Sequence, residues 1–228
     1  MKTACWSCGS ALAAGLPFCE KCGKVQAPAN GVTYFDVFGL PRKLALDTTG
    51  LERAFYKLSR KLHPDVYARA SDQEQQWSLE QTSLLNDAYR TLKNPISRTE
   101  YLLRLEGVEI EQDRSSENNA KKESRVPPDL LEEVFELNMQ LEEMRMNHKM
   151  GEDDPQLRQD LEKAKTQFEG QLADSDSELQ SLWGKWDASL EGQDESSMTE
   201  AKDQMVALLD RRRYVRNLVR DVNDALGN

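Results

Sequence analysis

The stretch Leu51-Glu-Arg-Ala-Phe-Tyr-Lys-Leu-Ser-Arg-Lys-Leu-His-Pro-Asp65 decides how this chain is read. Leu51, Ala54, Phe55, Leu58 and Leu62 recur at helical spacing within about 100° of one another and make a core stripe. Arg53, Lys57, Arg60 and Lys61 take the opposite face. Asp47 or Thr48 can cap the start, so a helix is expected from about Leu51 to Leu62. Pro64 fixes its own φ and disfavours helix at the residue before it. His63-Pro64-Asp65 is therefore held on an open loop with its side chains presented. A further helix is expected over about Asp72–Leu92, with Trp77, Leu84, Leu85, Ala88, Tyr89 and Leu92 able to face the first.

Upstream lies Tyr34-Phe-Asp-Val-Phe-Gly-Leu-Pro41, a short aromatic turn of helix stopped by Gly39 and Pro41. The order of short helix, basic amphipathic helix, His-Pro-Asp and second helix resembles a J domain. That unit is how DnaJ-type co-chaperones switch on ATP hydrolysis in the seventy-kilodalton heat-shock chaperones. In that setting Asp65 is an anion able to pair with a chaperone arginine, and His63 can supply a positioned hydrogen bond. Arg53, Lys57, Arg60 and Lys61 offer complementarity to an acidic chaperone surface, which acts mainly on encounter rate and register. Taken singly, the same residues also fit a helix-stopping proline, a satisfied histidine and a solvated charged face. No recognisable motif sets a nucleophilic Ser or Cys beside His63, and the Gly-rich phosphate-cradling patterns are absent. The chain is expected to activate another protein's ATPase rather than to be an enzyme.

More specific matches flank this region: Tyr34-Phe35, Phe38-Gly-Leu-Pro41, Asn86-Asp-Ala-Tyr89, Leu92-Lys-Asn-Pro95, Arg98, Tyr101-Leu-Leu103 and Gly107. Over residues 33–107 these resemble the HscB family, and the likeness continues more loosely to the C terminus. The resemblance implies a co-chaperone of iron–sulfur cluster assembly that pairs a DnaK/HscA-type chaperone with the IscU-type scaffold protein. Asn94-Pro95 reads as a cap and first-turn proline opening a connecting helix to about Glu106, which Gly107 ends.

All four cysteines fall at the start, as Cys5-Trp-Ser-Cys8 and Cys19-Glu-Lys-Cys22. Two-residue spacing lets both thiolates of a tight turn reach one ion, and Gly9 and Gly23 relieve the backbone beneath them. Two such knuckles form a four-sulfur tetrahedral site that suits structural zinc, with iron as a softer alternative. With four cysteine ligands no coordination position stays open for catalysis. Two disulfides or a thiol redox switch are the competing reading. A cysteine-knuckle extension is familiar in mitochondrial members of the family and less so in the short bacterial ones.

The chain has 228 residues, 30 basic and 40 acidic, for a net charge of −10. Residues 127–228 hold 12 basic and 24 acidic side chains, so the acidic excess belongs to the last hundred residues. That argues against nucleic acid as the main partner, including at Arg211-Arg212-Arg213 and Arg216, where intramolecular pairing or a solvated face is expected. No stretch approaches the roughly 20 apolar residues of a membrane helix, and no membrane partner is expected. The first residues make a poor secretion signal, since Gly15 and Pro17 break the short apolar run and Phe18 precedes Cys19. A bacterial cytoplasmic protein is expected, with the mitochondrial matrix as alternative, as a monomer or with weak self-association.

The expected fold class is all-α: a metal knuckle over 1–30, a J domain with connecting helix over 31–110, a polar linker over 111–126 and a client-binding antiparallel three-helix bundle over 127–228. Its helices are expected at about Pro128–Met150, Pro155–Trp186 and Met198–Leu226, separated by Gly151–Asp154 and Gly192–Ser197. Leu130, Val134, Leu137, Leu141 and Met144 face the core on the first. Leu131, Phe135 and Met139 lie about 100–180° from Leu130, bordered by Glu132, Glu136 and Glu143, and cannot share its core face. An outward apolar strip bounded by acids suits protein binding, or packing against the connecting helix or the J domain. The HscB resemblance implies scaffold binding at Leu131, Phe135, Glu136 and Glu143, with Tyr214 nearby.

Overall fold

The computed structural model describes residues 3–12, 15–109 and 126–227, and the linker expected over 111–126 lies outside these apart from Val126. The chain divides into two compact units, Met1–Ile110 and Glu111–Asn228. Both are all-α apart from one two-stranded ribbon among the described residues.

In the first unit, β1 (Thr3–Ala4) and β2 (Ala11–Leu12) run antiparallel, with Thr3 opposite Leu12, and carry the first cysteine pair between them. A lone bridge from Phe18 to Val25 brackets the second pair. α1 (Tyr34–Val37) opens on a capping box, in which Thr33 and Asp36 satisfy each other's backbone amides. α2 (Thr48–Leu62) is capped by Asp47, and α3 (Asp72–Lys93) by Ser71 and Glu74. Leu62, Leu85, Ala88 and Val37 close the core between them, with Phe55, Leu58, Trp77 and Leu84 packed against it. Phe55 also stacks on Tyr89 at 4.1 Å. α4 (Pro95–Leu105) starts on the Asn94 cap and Pro95, and Tyr101 of α4 accepts the Tyr34 amide at 2.9 Å. The short α1 thus sits on a hydrogen bond to α4 as well as on its apolar face.

The second unit holds α5 (Leu131–Met150), α6 (Pro155–Gly192) and α7 (Glu195–Leu226), joined antiparallel by short turns. A 3-10 turn, Pro128–Leu130, leads into α5. Gly151 ends α5 at φ 72°, a left-handed cap that a side chain would strain. Leu130, Val134, Leu137, Leu141 and Met144 meet Leu157, Leu161 and Phe168 of α6 and Val215, Leu218, Val222 and Leu226 of α7. The long helices differ in extent from the sequence expectation. α6 continues past Trp186 to Gly192, and α7 begins at Glu195, before Met198. The expected separator shrinks to Gln193 and Asp194, because Asp194 accepts the Ser196 and Ser197 amides at 3.1 Å each and starts the next helix. No helix among the described residues is long and apolar enough to cross a membrane.

Candidate functional site

The His-Pro-Asp segment is built outward from the end of α2. The last carbonyls of a helix have no intrahelical donor and must find another. For Leu62, which is buried, that donor comes from α3: Ser78 and Thr82 both donate their hydroxyls to its carbonyl. The chain then leaves the helix at His63, φ −54° and ψ 131°, as a residue before proline must. The open loop expected here is wound into one 3-10 turn, Pro64–Tyr67. His63 Nδ1 accepts the Asp65 amide at 3.3 Å and stands 3.4 Å from Asp65 Oδ2. With Nδ1 accepting from the Asp65 amide, Nε2–H is left as a donor for a partner. The Asp65 carboxylate is 90% exposed, with His63 Nδ1 the nearest basic partner among the described residues. Arg53, Lys57, Arg60 and Lys61 are all exposed along α2. The turn is pinned from behind and its polar groups face solvent.

The four cysteines come together. Their Sγ atoms all lie within 4.8 Å of one another, with Cys5–Cys22 at 3.6 Å and Cys8–Cys19 at 3.7 Å. A tetrahedral ion with roughly 2.3 Å metal–sulfur bonds has sulfur–sulfur edges of about 3.8 Å. The residues therefore fit a four-thiolate metal, and Cys5, Cys8, Cys19 and Cys22 would hold it. Gly9 at φ 68° and Gly23 at φ 71° give each knuckle its left-handed step. Sequence reading missed Ser10, whose hydroxyl lies 3.1 Å from Cys8 Sγ and 3.2 Å from Cys19 Sγ. That hydroxyl, aided by the Cys22 backbone, holds the Cys19 thiol down to about 6. Cys8 is lowered by the same hydroxyl. At Cys22 a backbone hydrogen bond at Lys24 works downward, yet desolvation and three neighbouring sulfurs push the thiol up to about 11. The set offers a ready thiolate to an incoming cation and gives up further protons as the cation binds.

The knuckle is seated on the core between α2 and α3 rather than tethered beside it. Val25 is fully buried in the same core as Leu62, Leu85 and Ala88. Trp6 meets Trp77 edge to face at 5.6 Å and donates its indole N–H to the Val25 carbonyl at 2.8 Å. Gln81 of α3 donates to the Gln26 carbonyl at 3.1 Å. Lys24 reaches Glu74 at 2.8 Å, and its hydrogen bond holds the Glu74 carboxyl below the usual range while raising its own ammonium.

On α5, Leu131, Phe135 and Met139 are 56%, 68% and 60% exposed, so this strip is not buried against its own unit. Glu136 and Glu143 beside it are exposed as well. Met146 and Met150, also exposed, extend the same face to the end of the helix, a continuation the sequence reading did not include. Tyr214 is half-buried against the core of α5, α6 and α7. The arginine run is paired as expected: Arg211 with Asp129 at 2.9 Å, Arg212 with Asp176 at 2.6 Å and Arg213 with Asp210 at 3.2 Å.

Residues 33–101 match the family model described as the DnaJ domain. The iron-sulfur cluster co-chaperone protein HscB of Homo sapiens is 34% identical over 151 residues, 65% of this chain and 61% of that protein. A co-chaperone protein HscB homolog of Vibrio cholerae is 39% identical over 111 residues, 49% of this chain and 60% of its own length. The crystal structure of human co-chaperone protein HscB covers 97% of both chains at a TM-score of 0.61 and 26% identity. The chain resembles HscB co-chaperones both within and beyond the DnaJ domain. It spans about three fifths of the length of the curated relatives it matches. The chaperone HscB from Vibrio cholerae superposes at a TM-score of 0.54 with 29% identity, covering 85% of this chain and 98% of that one.

The residues that sequence reading missed are supporting ones. Ser78 and Thr82 look like ordinary polar positions of α3 until the Leu62 carbonyl is seen to need them. Ser10 belongs to neither cysteine pair in sequence, and only the ribbon brings it over Cys19.

Proposed function

We propose that this protein is an HscB-type co-chaperone that stimulates ATP hydrolysis by a DnaK/HscA-type chaperone. It delivers to that chaperone the IscU-type scaffold protein of iron–sulfur cluster assembly, and it performs no chemistry itself. The observation that carries the reading is the exposed His63-Pro64-Asp65 turn at the end of a basic helix, its backbone held by α3. His63, Pro64 and Asp65 engage the chaperone, with Arg53, Lys57, Arg60 and Lys61 giving the encounter its electrostatic register. Leu131, Phe135, Glu136 and Glu143 engage the scaffold: apolar side chains stand in solvent beside acids, as a protein-binding strip requires. Tyr214 of α7 joins that client-binding surface. Zinc held by the four cysteines folds the first residues and fixes the floor beneath them. A reducing cytoplasm, where thiols persist, suits the four free cysteines.

Single-turnover ATP hydrolysis by the DnaK-type chaperones of the source organism tests this reading, with and without the scaffold protein. Stimulation that rises synergistically with scaffold is the expected result. Stimulation indifferent to scaffold would keep the J domain and remove the iron–sulfur assignment.

A further inference from the structure

A cleft of about 800 Å³ lies between the second cysteine knuckle and α2. One wall is knuckle backbone and side chain, from Leu16 through Cys19 and Glu20 to Gly23. The other is α2, with Ala54, Leu58 and the cations Lys57, Arg60 and Lys61. Val66 and Tyr67, which directly follow His63-Pro64-Asp65, close one side. The basic face of α2 is therefore one bank of a channel whose other bank is the metal site.

We propose that the second knuckle belongs to the chaperone-docking surface, and that this cleft receives an acidic segment of the ATP-bound chaperone carrying an apolar side chain. The inference rests on the reading of the chain as a J-domain co-chaperone and deepens it. Charge chooses the occupant. Three cations line the cleft against the single acid Glu20, so an anionic segment is favoured and a basic one repelled. Shape and polarity choose its tip. Val66 is 62% exposed at the rim, and Leu16 and Phe18 offer further apolar wall within a volume that takes a few side chains. Continuity with Asp65 means that a partner reaching the tripeptide also stands over the cleft.

The wall is fixed. Phe18 bridges to Val25, which is fully buried in the J-domain core, and the Gln26 amide bonds back to the Pro17 carbonyl at 2.9 Å. Lys61 Nζ lies 5.9 Å from the Phe18 ring centroid, so the two banks already touch at one end. A preorganised wall adds contact area without an ordering cost on binding.

Amide hydrogen exchange of the full zinc-loaded chain tests the proposal, with the ATP-bound DnaK-type chaperone as probe and His63→Gln as control. Exchange over Leu16–Gly23 is expected to slow several-fold in the wild type along with α2 and the His-Pro-Asp turn, and not in His63→Gln. Glu20→Lys, which leaves the tripeptide and the cysteines in place, is expected to tighten the complex about threefold at low salt, a gain that fades as salt rises. Zinc content of that variant confirms an intact knuckle. Protection of α2 and the tripeptide without protection of Leu16–Gly23, together with an unchanged affinity in Glu20→Lys, overturns the cleft and leaves the proposed function standing. Protection nowhere, with no stimulation of ATP hydrolysis, overturns both.

Discussion

Ser78 of α3 donates its hydroxyl to the backbone carbonyl of Leu62, the last residue of α2, and does so from a fully buried position. The residue after that carbonyl is His63, so the exposed tripeptide hangs from a hydrogen bond inside the core. Ser78→Ala leaves a helix-end carbonyl with only Thr82, at 3.2 Å. A loss of about 1–2 kcal/mol is expected by chemical denaturation, and a larger loss in the double variant with Thr82→Val. The single variant should retain more ATPase stimulation than His63→Gln, because it weakens a support and not a contact.

Chelating the metal should destabilise the J domain itself, since Val25, Trp6 and Gln26 tie the knuckle to α3 and its core. The thermal transition that reports α2 and α3 is expected to fall on metal removal and to recover on adding zinc. Val25→Ala should cost about 2 kcal/mol with metal bound, because it opens a void in a fully buried site. A transition unmoved by chelation would mean that the knuckle is only an appendage.

The Lys24–Glu74 pair gives stability a pH dependence of known sign. The hydrogen bond from Lys24 holds the Glu74 carboxyl below its usual range. The folded state then binds fewer protons, so the contribution is full above the unfolded value near 4.3 and is lost as pH falls through the folded one. The Lys24 ammonium is held above its usual range by the same bond, and its share is full below about 10.4 and lost as pH rises through the folded value. Lys24→Met is therefore expected to lower Tm at pH 7, and the gap from wild type to narrow as pH falls below about 4.3. A gap that stays constant from pH 3 to 7 would contradict the pairing.

Two neighbours on α5 should respond oppositely. Val134 is buried and Phe135 is 68% exposed. Val134→Ala is expected to cost about 2 kcal/mol of stability and leave scaffold affinity near wild type. Phe135→Ser should leave Tm within a degree or two of wild type and weaken scaffold binding by about tenfold or more, as an exposed aromatic anchor would. Calorimetric titration and a thermal melt on each variant decide it.

The hairpin of α2 and α3 was legible because each helix carries one apolar stripe, Leu51 to Leu62 and Leu85 to Leu92, and α2 has a capping residue at its start. The four cysteines were legible because two-residue spacing leaves them little else to do together. α5 was legible only by separating two apolar faces, since the inner Val134–Met144 stripe and the outer Leu131–Met139 strip oppose one another around the helix. What escaped depends on distant partners. Ser10 gains its role from a ribbon of four residues, and the Leu62 carbonyl finds its donors sixteen and twenty residues later in the chain. The junction of α6 and α7 was misplaced because the polar run Gly192–Ser197 looks like a breaker, whereas Asp194 turns most of it into a cap and first turn.

The most direct measurement is single-turnover ATP hydrolysis by the chaperone with scaffold present, run side by side for wild type, His63→Gln and Phe135→Ser. His63→Gln should abolish stimulation with its fold intact, and Phe135→Ser should keep the scaffold-independent stimulation but lose the synergy. Full stimulation by His63→Gln would contradict the J-domain mechanism at its root.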